Sequence, residues 1–253
     1  MALALRHGIA DDLQGAIARR GQGVLTENMH RENQLRCDDR LRRRIEGNLQ
    51  SFDHKAHEGR RLRQAAVAIT VVDVDGGSRE QDISSCRVDD QDAALILTRR
   101  SARLKHHAGQ WALPGGHLEP GDSPEETALR ELAEEVDLAL AEDRILGRLD
   151  DFTTRSGFIM TPIVVWGGKA VDLTPNPQEV HSVHRIPIRE FLRPDAPILE
   201  ETHQSPHPIL YMPVGHSWIA SPTAALLYQF REVAILGKAT RVAHFDQPRF
   251  AWS

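Results

Sequence analysis

Gly115 to Leu138 reads GGHLEPGDSPEETALRELAEEVDL, and the reading of this stretch decides the fold. Ser123-Pro124-Glu125-Glu126 has the form of a capping box: Ser123 caps, Pro124 takes the first helical position and Glu126 reaches back from the third. A helix is therefore predicted from about Pro124 to Val136, carried by good helix formers. At about 100° per residue, Leu129, Leu132, Ala133 and Val136 share one face. Glu131, Glu134 and Glu135, joined by Thr127, fall on the other, so three carboxylates project into one small volume. Like charges so placed repel by a few tenths of a kcal/mol per pair, a penalty that a cation turns into binding. Hard oxygen ligands with no His or Cys cluster nearby suit Mg2+ or Mn2+ better than zinc.

A solvated acidic helix face would show the same three glutamates. The loop in front separates the two readings. Pro114-Gly115-Gly116 lets the backbone approach closely, so that a carbonyl can point at a metal, and Glu119 and Asp122 add two further carboxylates. Arg130 stands beside the cluster, placed to pair with a carboxylate and orient it.

Outward from this segment the chain alternates strands and helices. Upstream, AAVAITVVDV from Ala65, ended by Gly76 and Gly77, and AALILTRR from Ala93 to Arg100 read as strands, with the polar Ser78 to Asp92 as a long hairpin loop. Downstream, ILGRLDDFTT and FIMTPIVVW read as an antiparallel pair turning around Thr154 to Gly157. A late helix is signalled by Ser221-Pro222-Thr223, with Ser221 as cap and Gly237 after its end. Residues 63–253 thus form an α/β domain closed by a C-terminal helix. Residues 1–62, rich in Arg (LRCDDRLRRRIEGN), read as a charged extension of exposed helices or partial order.

Composition narrows the class. The chain has 253 residues, 40% hydrophobic and 26% charged, which is ordinary for a globular protein. It has no apolar run of the length a membrane span needs, and its N-terminus is a poor secretory signal. Its two cysteines, Cys37 and Cys86, offer no disulfide framework and no zinc pair. A cytoplasmic protein is expected. The net charge of −5 is uneven: residues 1–65 hold 13 Lys and Arg against 9 Asp and Glu, the remainder 18 against 27. An acidic body argues against nonspecific nucleic-acid binding. His181, His184, His203 and His207 show no metal-ligand spacing.

With these residues in hand the stretch resembles the Nudix box. That pattern is Gly, five residues, Glu, seven residues, Arg-Glu, an aliphatic, one residue, Glu-Glu, one residue, Gly and an aliphatic. Here it runs from Gly116 through Arg130-Glu131, Leu132 and Glu134-Glu135 to Leu138, with Asp122 in the first Glu place and Asp137 in the second Gly place. The first departure is expected to loosen the loop, because that carboxylate pairs with the box Arg in the family. The second falls where the helix ends, and Asp tolerates left-handed backbone better than most residues. The resemblance implies the family's fold, a mixed β-sheet sandwiched between helices (α/β/α), and hydrolysis of a nucleoside diphosphate linked to another group, using water and a divalent metal, Mg2+ or Mn2+. By position Glu131, Glu135 and the Gly116 carbonyl would ligate metal, with Glu134 as a further ligand or water-bridged partner. Glu131, Glu134 and Arg130 are the candidate catalytic residues; which carboxylate is the general base varies between Nudix enzymes.

A second motif lies upstream. LILTRRSARLKHHAGQWALPGG resembles the signature of coenzyme A pyrophosphatases within that family: Leu97, Thr98, Arg100, Ser101, Gly109, Pro114, Gly115 and Gly116 fall in register, while Lys105 replaces an Arg and Leu113 a Phe. Ser156-Gly157-Phe158, Thr161-Pro162 and Asn176 to Val180 extend the likeness. It implies coenzyme A or an acyl derivative as substrate, with Arg99, Arg100 and Ser101 as candidate substrate-binding residues, since a 3′-phosphorylated ADP needs positive partners. His106 and His107 are read as caps or solvent-facing, Trp111 and Trp252 as core. Alternatives are ADP-ribose, a dinucleotide or a nucleoside triphosphate as substrate, or a catalytically weak nucleotide-binding regulator. A small-molecule nucleotide is the implied partner, with no membrane and no nucleic acid; whether the chain forms a homodimer is open.

Overall fold

The computed structural model describes residues 35–57, 62–74, 89–103, 108–169, 171–203 and 205–248. Most of the N-terminal extension, most of the Ser78 to Asp92 loop, Cys86, Lys105, His106, His107 and Trp252 lie outside these. The domain's centre is β1 (Arg63–Asp73), an apolar run that is buried on both faces from Ala66 onward. Such a strand needs a layer on each side. β1 pairs in parallel with β7 (Phe158–Gly168) and antiparallel with β2 (Ala93–Arg100). β3 (Trp111–Ala112) and β8 (Val180–Pro187) flank β2, and β4 (Gly115–His117) pairs with the start of β1. β5 (Ile145–Arg148) and β6 (Phe152–Thr153) fold back antiparallel on β7, as the sequence of that hairpin predicts. The result is an eight-stranded mixed sheet. A separate three-stranded sheet holds β9 (Ile198–Glu200), β10 (Ile209–Val214) and β11 (Ser217–Ala220).

Among the described residues three α-helices pack on these sheets, two on the large one and the last on β10 and β11. α1 spans Asp39–Gln50, capped by the Asp38 carboxylate on the Leu41 amide. Its arginines face outward, but Leu41, Ile45 and Leu49 form a buried stripe at helical spacing. The expectation of an exposed helix fails there, because the apolar positions scattered among the arginines recur every fourth residue. The compact unit accordingly begins at Cys37, ahead of residue 63. α2 is the capping-box helix, Pro124–Val136, with both reciprocal Ser123–Glu126 bonds formed. α3 spans Thr223–Phe230 and runs on into a π turn, Arg231–Ile235, before Gly237 stops it with φ 67°. Ser221 does not cap α3: its hydroxyl donates to the Leu210 carbonyl at 2.9 Å and so ties the helix start to β10.

α2 lies on small residues. Ala66 and Ala68 of β1, Ala94 of β2 and Ala128 of the helix itself meet in one core with Leu132, Val136, Ile163 and Val165. Alanines on both surfaces bring helix and sheet close. The buried face of α2 therefore runs Thr127, Ala128, Glu131, Leu132, Glu135, Val136, with Leu129 and Ala133 only half-buried. Two of the three glutamates placed opposite the apolar face are thus buried, because β4 folds over that flank. Asp137 ends the helix in the left-handed conformation, φ 60° and ψ 33°, the one such non-glycine among the described residues. A β-carbon costs roughly 1 kcal/mol in that region, and an acid there also opposes the helix dipole. Asp137→Gly is expected to raise the unfolding free energy by about 0.5–1 kcal/mol and Asp137→Val to lower it, read from urea denaturation; equal midpoints for all three proteins would contradict this account.

Candidate active site

Two glycines bring the strand to the helix. A β-carbon on Gly115 would stand 2.4 Å from the Ala66 carbonyl oxygen, and one on Gly116 would stand 2.2 Å from Oε1 of Glu131. Backbone closes the place at Gly115, whereas a side chain at Gly116 would have to displace the Glu131 carboxylate, which lies directly on the Gly116 backbone. The Gly115 amide donates to Glu135. Both carboxylates are buried, Glu135 at 4% exposure and Glu131 at 9%. Burial pushes the Glu135 carboxyl up to about 8; Arg100 pulls against this, while Glu131 and Glu179 add to it. Burial raises Glu131 too, against the pull of Arg130.

Arg130 organises the rim. Its Nη1 donates to Glu131 Oε1 at 2.9 Å and to Glu134 Oε2 at 3.2 Å, and its Nη2 to the His117 carbonyl at 3.2 Å. One planar fork thereby fixes two box carboxylates and strand β4. Asp122 is the partner that falls short. Its Oδ2 is 3.6 Å from Nε of Arg130, an ion pair too long for a hydrogen bond, and that buried Nε has no hydrogen-bond partner. The loosening expected from the shorter arm is located there.

The cleft between α2 and β4 has a volume of about 420 Å³. Glu131, Glu135, Glu119 and Glu179 line it, together with Gly116, Arg130 and Arg100. Of the sequence-derived site residues, Glu134 is not among them; it stands at the rim with 56% of its side chain exposed. Thr127, expected beside the glutamates, is fully buried. Among the described residues no three His, Cys, Asp or Glu side chains form a ready-made metal cluster; Arg130 holds Glu131 and Glu134 between its nitrogens. Glu179 was missed. It arrives from the turn before β8, whose Asn176 amide donates to the Glu135 carbonyl at 2.9 Å. The Ser101 amide donates to the Glu179 carbonyl at 2.8 Å. Ser101 is itself buried and lines neither cleft, so it holds the turn that carries a cleft residue.

A second cleft, about 590 Å³, opens on the other side of the glycine pair. It shares Arg100, Gly115, Gly116 and His117 with the first, and its floor is apolar: Ala65, Val67, Phe158 and Met160. Trp111 lines it, half-buried rather than in the core, because β3 is a two-residue edge strand. Arg99 does not join Arg100. The register of β2 against β8 shifts between the two, and the Arg99 guanidinium lies over Trp111, 3.8 Å from the ring centroid, with Nη1 donating to the Gly109 carbonyl. It lines a third hollow instead, beside Trp218 and Pro222.

Two outcomes test this geometry. Glu135 carries a folded-state pKa of about 8 against an ordinary 4.5, so the cation-free fold loses stability as pH rises from about 4.5 through 8. Glu135→Gln removes that loss, and its advantage over the wild type should grow across this window to a few kcal/mol, roughly; parallel melting-temperature curves against pH would contradict it. Asp122→Glu restores the longer arm and should give Arg130 Nε a bonded partner, worth about 0.5–1.5 kcal/mol; a variant less stable than wild type in urea denaturation would show that the loop is already fitted to Asp122.

The NUDIX domain model matches residues 79–211, more than half of the chain. The relatives include proteins named uncharacterized Nudix hydrolase NudL. The one from Pectobacterium atrosepticum is 37% identical over 138 residues, 53% of this chain and 72% of its own. That from Yersinia enterocolitica is 45% identical over 100 residues, 39% of this chain and 51% of its own. That from Photorhabdus laumondii is 43% identical over 99 residues, 39% and 53%. The chain spans about half the length of the last two. Among solved structures, the NUDIX domain of Shewanella oneidensis NrtR complexed with ADP ribose has 18% identity, a TM-score of 0.43, and coverage of 69% of this chain and 89% of that one. The match to the domain model, which spans the box and the glutamate cleft, makes the chain a member of the Nudix domain family.

Proposed function

We propose that this protein hydrolyses the pyrophosphate bond of a nucleoside diphosphate derivative with the help of a divalent cation, and that the substrate is coenzyme A or an acyl-coenzyme A. Water adds to one phosphorus and the bridging P–O bond breaks, giving 3′,5′-ADP and 4′-phosphopantetheine or its acyl form. The observation that carries this reading is the pairing of two clefts across one glycine pair. One is lined by four glutamates, the other has Arg100 and Arg63 and no carboxylate among its described lining residues. A cation and a polyanion would meet at their common wall.

The donor set fits Mg2+ or Mn2+: it is all oxygen, and burial pushes the cation-free Glu135 carboxyl up to about 8 although Arg100 pulls against it. Glu131, Glu135 and the Gly116 carbonyl would hold the metal, with Glu134, held at the rim by Arg130, as a further ligand or water-bridged partner and Glu179 facing it. The metal, when bound, neutralises the pyrophosphate and makes its water more acidic. The chain's own residues do the rest. Arg130 keeps Glu131 and Glu134 in place, Arg100 sits where either phosphate would pass, and the apolar floor excludes water from the leaving arm. ADP-ribose, a dinucleotide or a nucleoside triphosphate would use the same wall. The two cysteines without a framework suit a reducing compartment, and we place the reaction in the cytoplasm. Among the described residues no helix is long and apolar enough to cross a membrane.

The test is incubation with Mg2+ or Mn2+ and a panel of coenzyme A, ADP-ribose, NADH, a diadenosine polyphosphate and a nucleoside triphosphate, with products identified by mass spectrometry. Wild type is expected to release 3′,5′-ADP and 4′-phosphopantetheine, and Glu135→Gln to lose about a hundredfold or more in kcat. Turnover of another panel member alone would overturn the coenzyme A assignment. Nucleotide binding without any turnover would favour the regulator.

A further inference from the structure

The floor of the apolar cleft has a direction. β1 contributes Val67, Ala65 and Arg63, alternate residues of one face, and β7 contributes Met160 and Phe158, the parallel partners of Ala65 and Arg63. At the Val67 end stands Gly115, its antiparallel partner, with the glutamate cleft behind it. At the other end stands Arg63. The four-residue step between them is roughly 13 Å along a strand; the floor between is Ala65 and Met160, with His117, the antiparallel partner of Ala65, beside them and its ring 4.9 Å from that of Phe158.

Arg63 is held in place. Its guanidinium lies 3.8 Å over the Phe158 ring, and its Nη2 donates to the Ser156 carbonyl at 2.8 Å. That leaves most of its N–H donors unspent. No carboxylate among the described residues pairs with it, whereas Arg130, Arg148, Arg185, Arg189, Arg193 and Arg241 are each engaged by one. Two hydroxyls stand beside it. Thr154 and Ser156 both line the cleft, their oxygens 3.0 Å apart. Their loop is anchored from below: the Arg155 amide donates to Gln247 and the Arg155 side chain pairs with buried Asp246. A fixed cation with a hydroxyl pair, one nucleoside length from the pyrophosphate wall, is an anion site built for a group that the pyrophosphate chemistry does not need.

Building on the coenzyme A reading, we infer that Arg63, with the Thr154–Ser156 loop, binds a phosphomonoester on the ribose of the substrate and so selects 3′-phosphorylated nucleotides. The adenosine lies over Phe158 and Met160 with its pyrophosphate at Gly115–Gly116. Its 3′-phosphate receives the guanidinium. A 2′-phosphate would present the same dianion from the neighbouring carbon, and the choice of 3′ rests on the coenzyme A signature.

Binding tests this without turnover. Titration calorimetry with 3′,5′-ADP, 2′,5′-ADP and 5′-AMP should show 3′,5′-ADP binding wild type about tenfold or more tightly than 5′-AMP. Arg63→Gln should bring that ratio close to one by weakening 3′,5′-ADP binding more than 5′-AMP binding, and Arg63→Lys should restore part of it. The preference should weaken with salt, since the guanidinium is exposed. In turnover, the ratio of kcat/KM for coenzyme A over dephospho-coenzyme A should fall by the same factor in Arg63→Gln. A wild-type ratio near one, or a ratio that Arg63→Gln leaves intact, overturns the inference. A loss of 5′-AMP affinity equal to that of 3′,5′-ADP overturns it as well, since Arg63 then only holds the Ser156 loop. A preference for 2′,5′-ADP moves the phosphate one carbon and overturns the 3′ assignment. Selective 3′,5′-ADP binding without coenzyme A hydrolysis would sink the proposed reaction and keep the site.

Discussion

Everything at this site depends on the contact between two glycines and two buried carboxylates. Gly115 and Gly116 are where strand β4 crosses the box helix, and the space that a β-carbon would fill is occupied by the Ala66 carbonyl in one case and by Glu131 in the other. The alanine-lined seat of α2 on β1 makes that approach possible. The consequence is electrostatic. Carboxylates at 4% and 9% exposure cannot be hydrated as they would be on an open helix, and burial holds both above the ordinary carboxylate range. A charge removed from water calls for a counter-charge, and Arg100 and Arg130 supply only part of it.

The same wall divides the surface by charge. Glutamates are gathered on the α2 side with Arg130 among them, Arg63 lies on the β1–β7 side with no carboxylate among the described lining residues, and Arg100 and the glycine pair border both. Because the glycines present only backbone, a ligand on one side is in reach of groups on the other. Arg130 shows how tightly the acidic side is drawn, with one guanidinium holding Glu131, Glu134 and the His117 carbonyl together. Asp122 is where the arrangement is slack.

Much of this was legible in the sequence. Ser123 to Glu126 announces the helix start because capping chemistry is local, and the left-handed end at Asp137 follows from a short polar side chain where the pattern wants glycine. The β5–β7 hairpin followed from apolar runs and turn residues, and the mixed sheet from the resemblance to the Nudix box. What stayed hidden was set by tertiary contact. Helical periodicity put Glu131 and Glu135 opposite the core, but it carries no knowledge of β4 folding over them. Glu179 is a lone acid in a polar turn, and only the Asn176–Glu135 and Ser101–Glu179 backbone bonds bring it to the cleft. Arg99 and Arg100 read as a pair, and the register shift of β2 against β8 parts them. Ser221 has the right neighbours for a cap, yet the nearby Leu210 carbonyl takes its hydroxyl.

Helix α1 sets the order in which the chain can assemble. Its Asn48 donates to the Ala234 carbonyl at 2.9 Å across a separation of 186 residues, and Arg44 reaches the neighbouring Ile235 carbonyl. The parallel β1–β7 ladder is likewise long in sequence. Contacts of such span are slow to form, since loop-closure entropy is met before they stabilise anything. During synthesis Leu41, Ile45 and Leu49 emerge well before β5 and the Arg231–Ile235 turn against which α1 packs. Until then the stripe is an exposed apolar surface in a growing chain, which is where a chaperone or a misfolding event would find it.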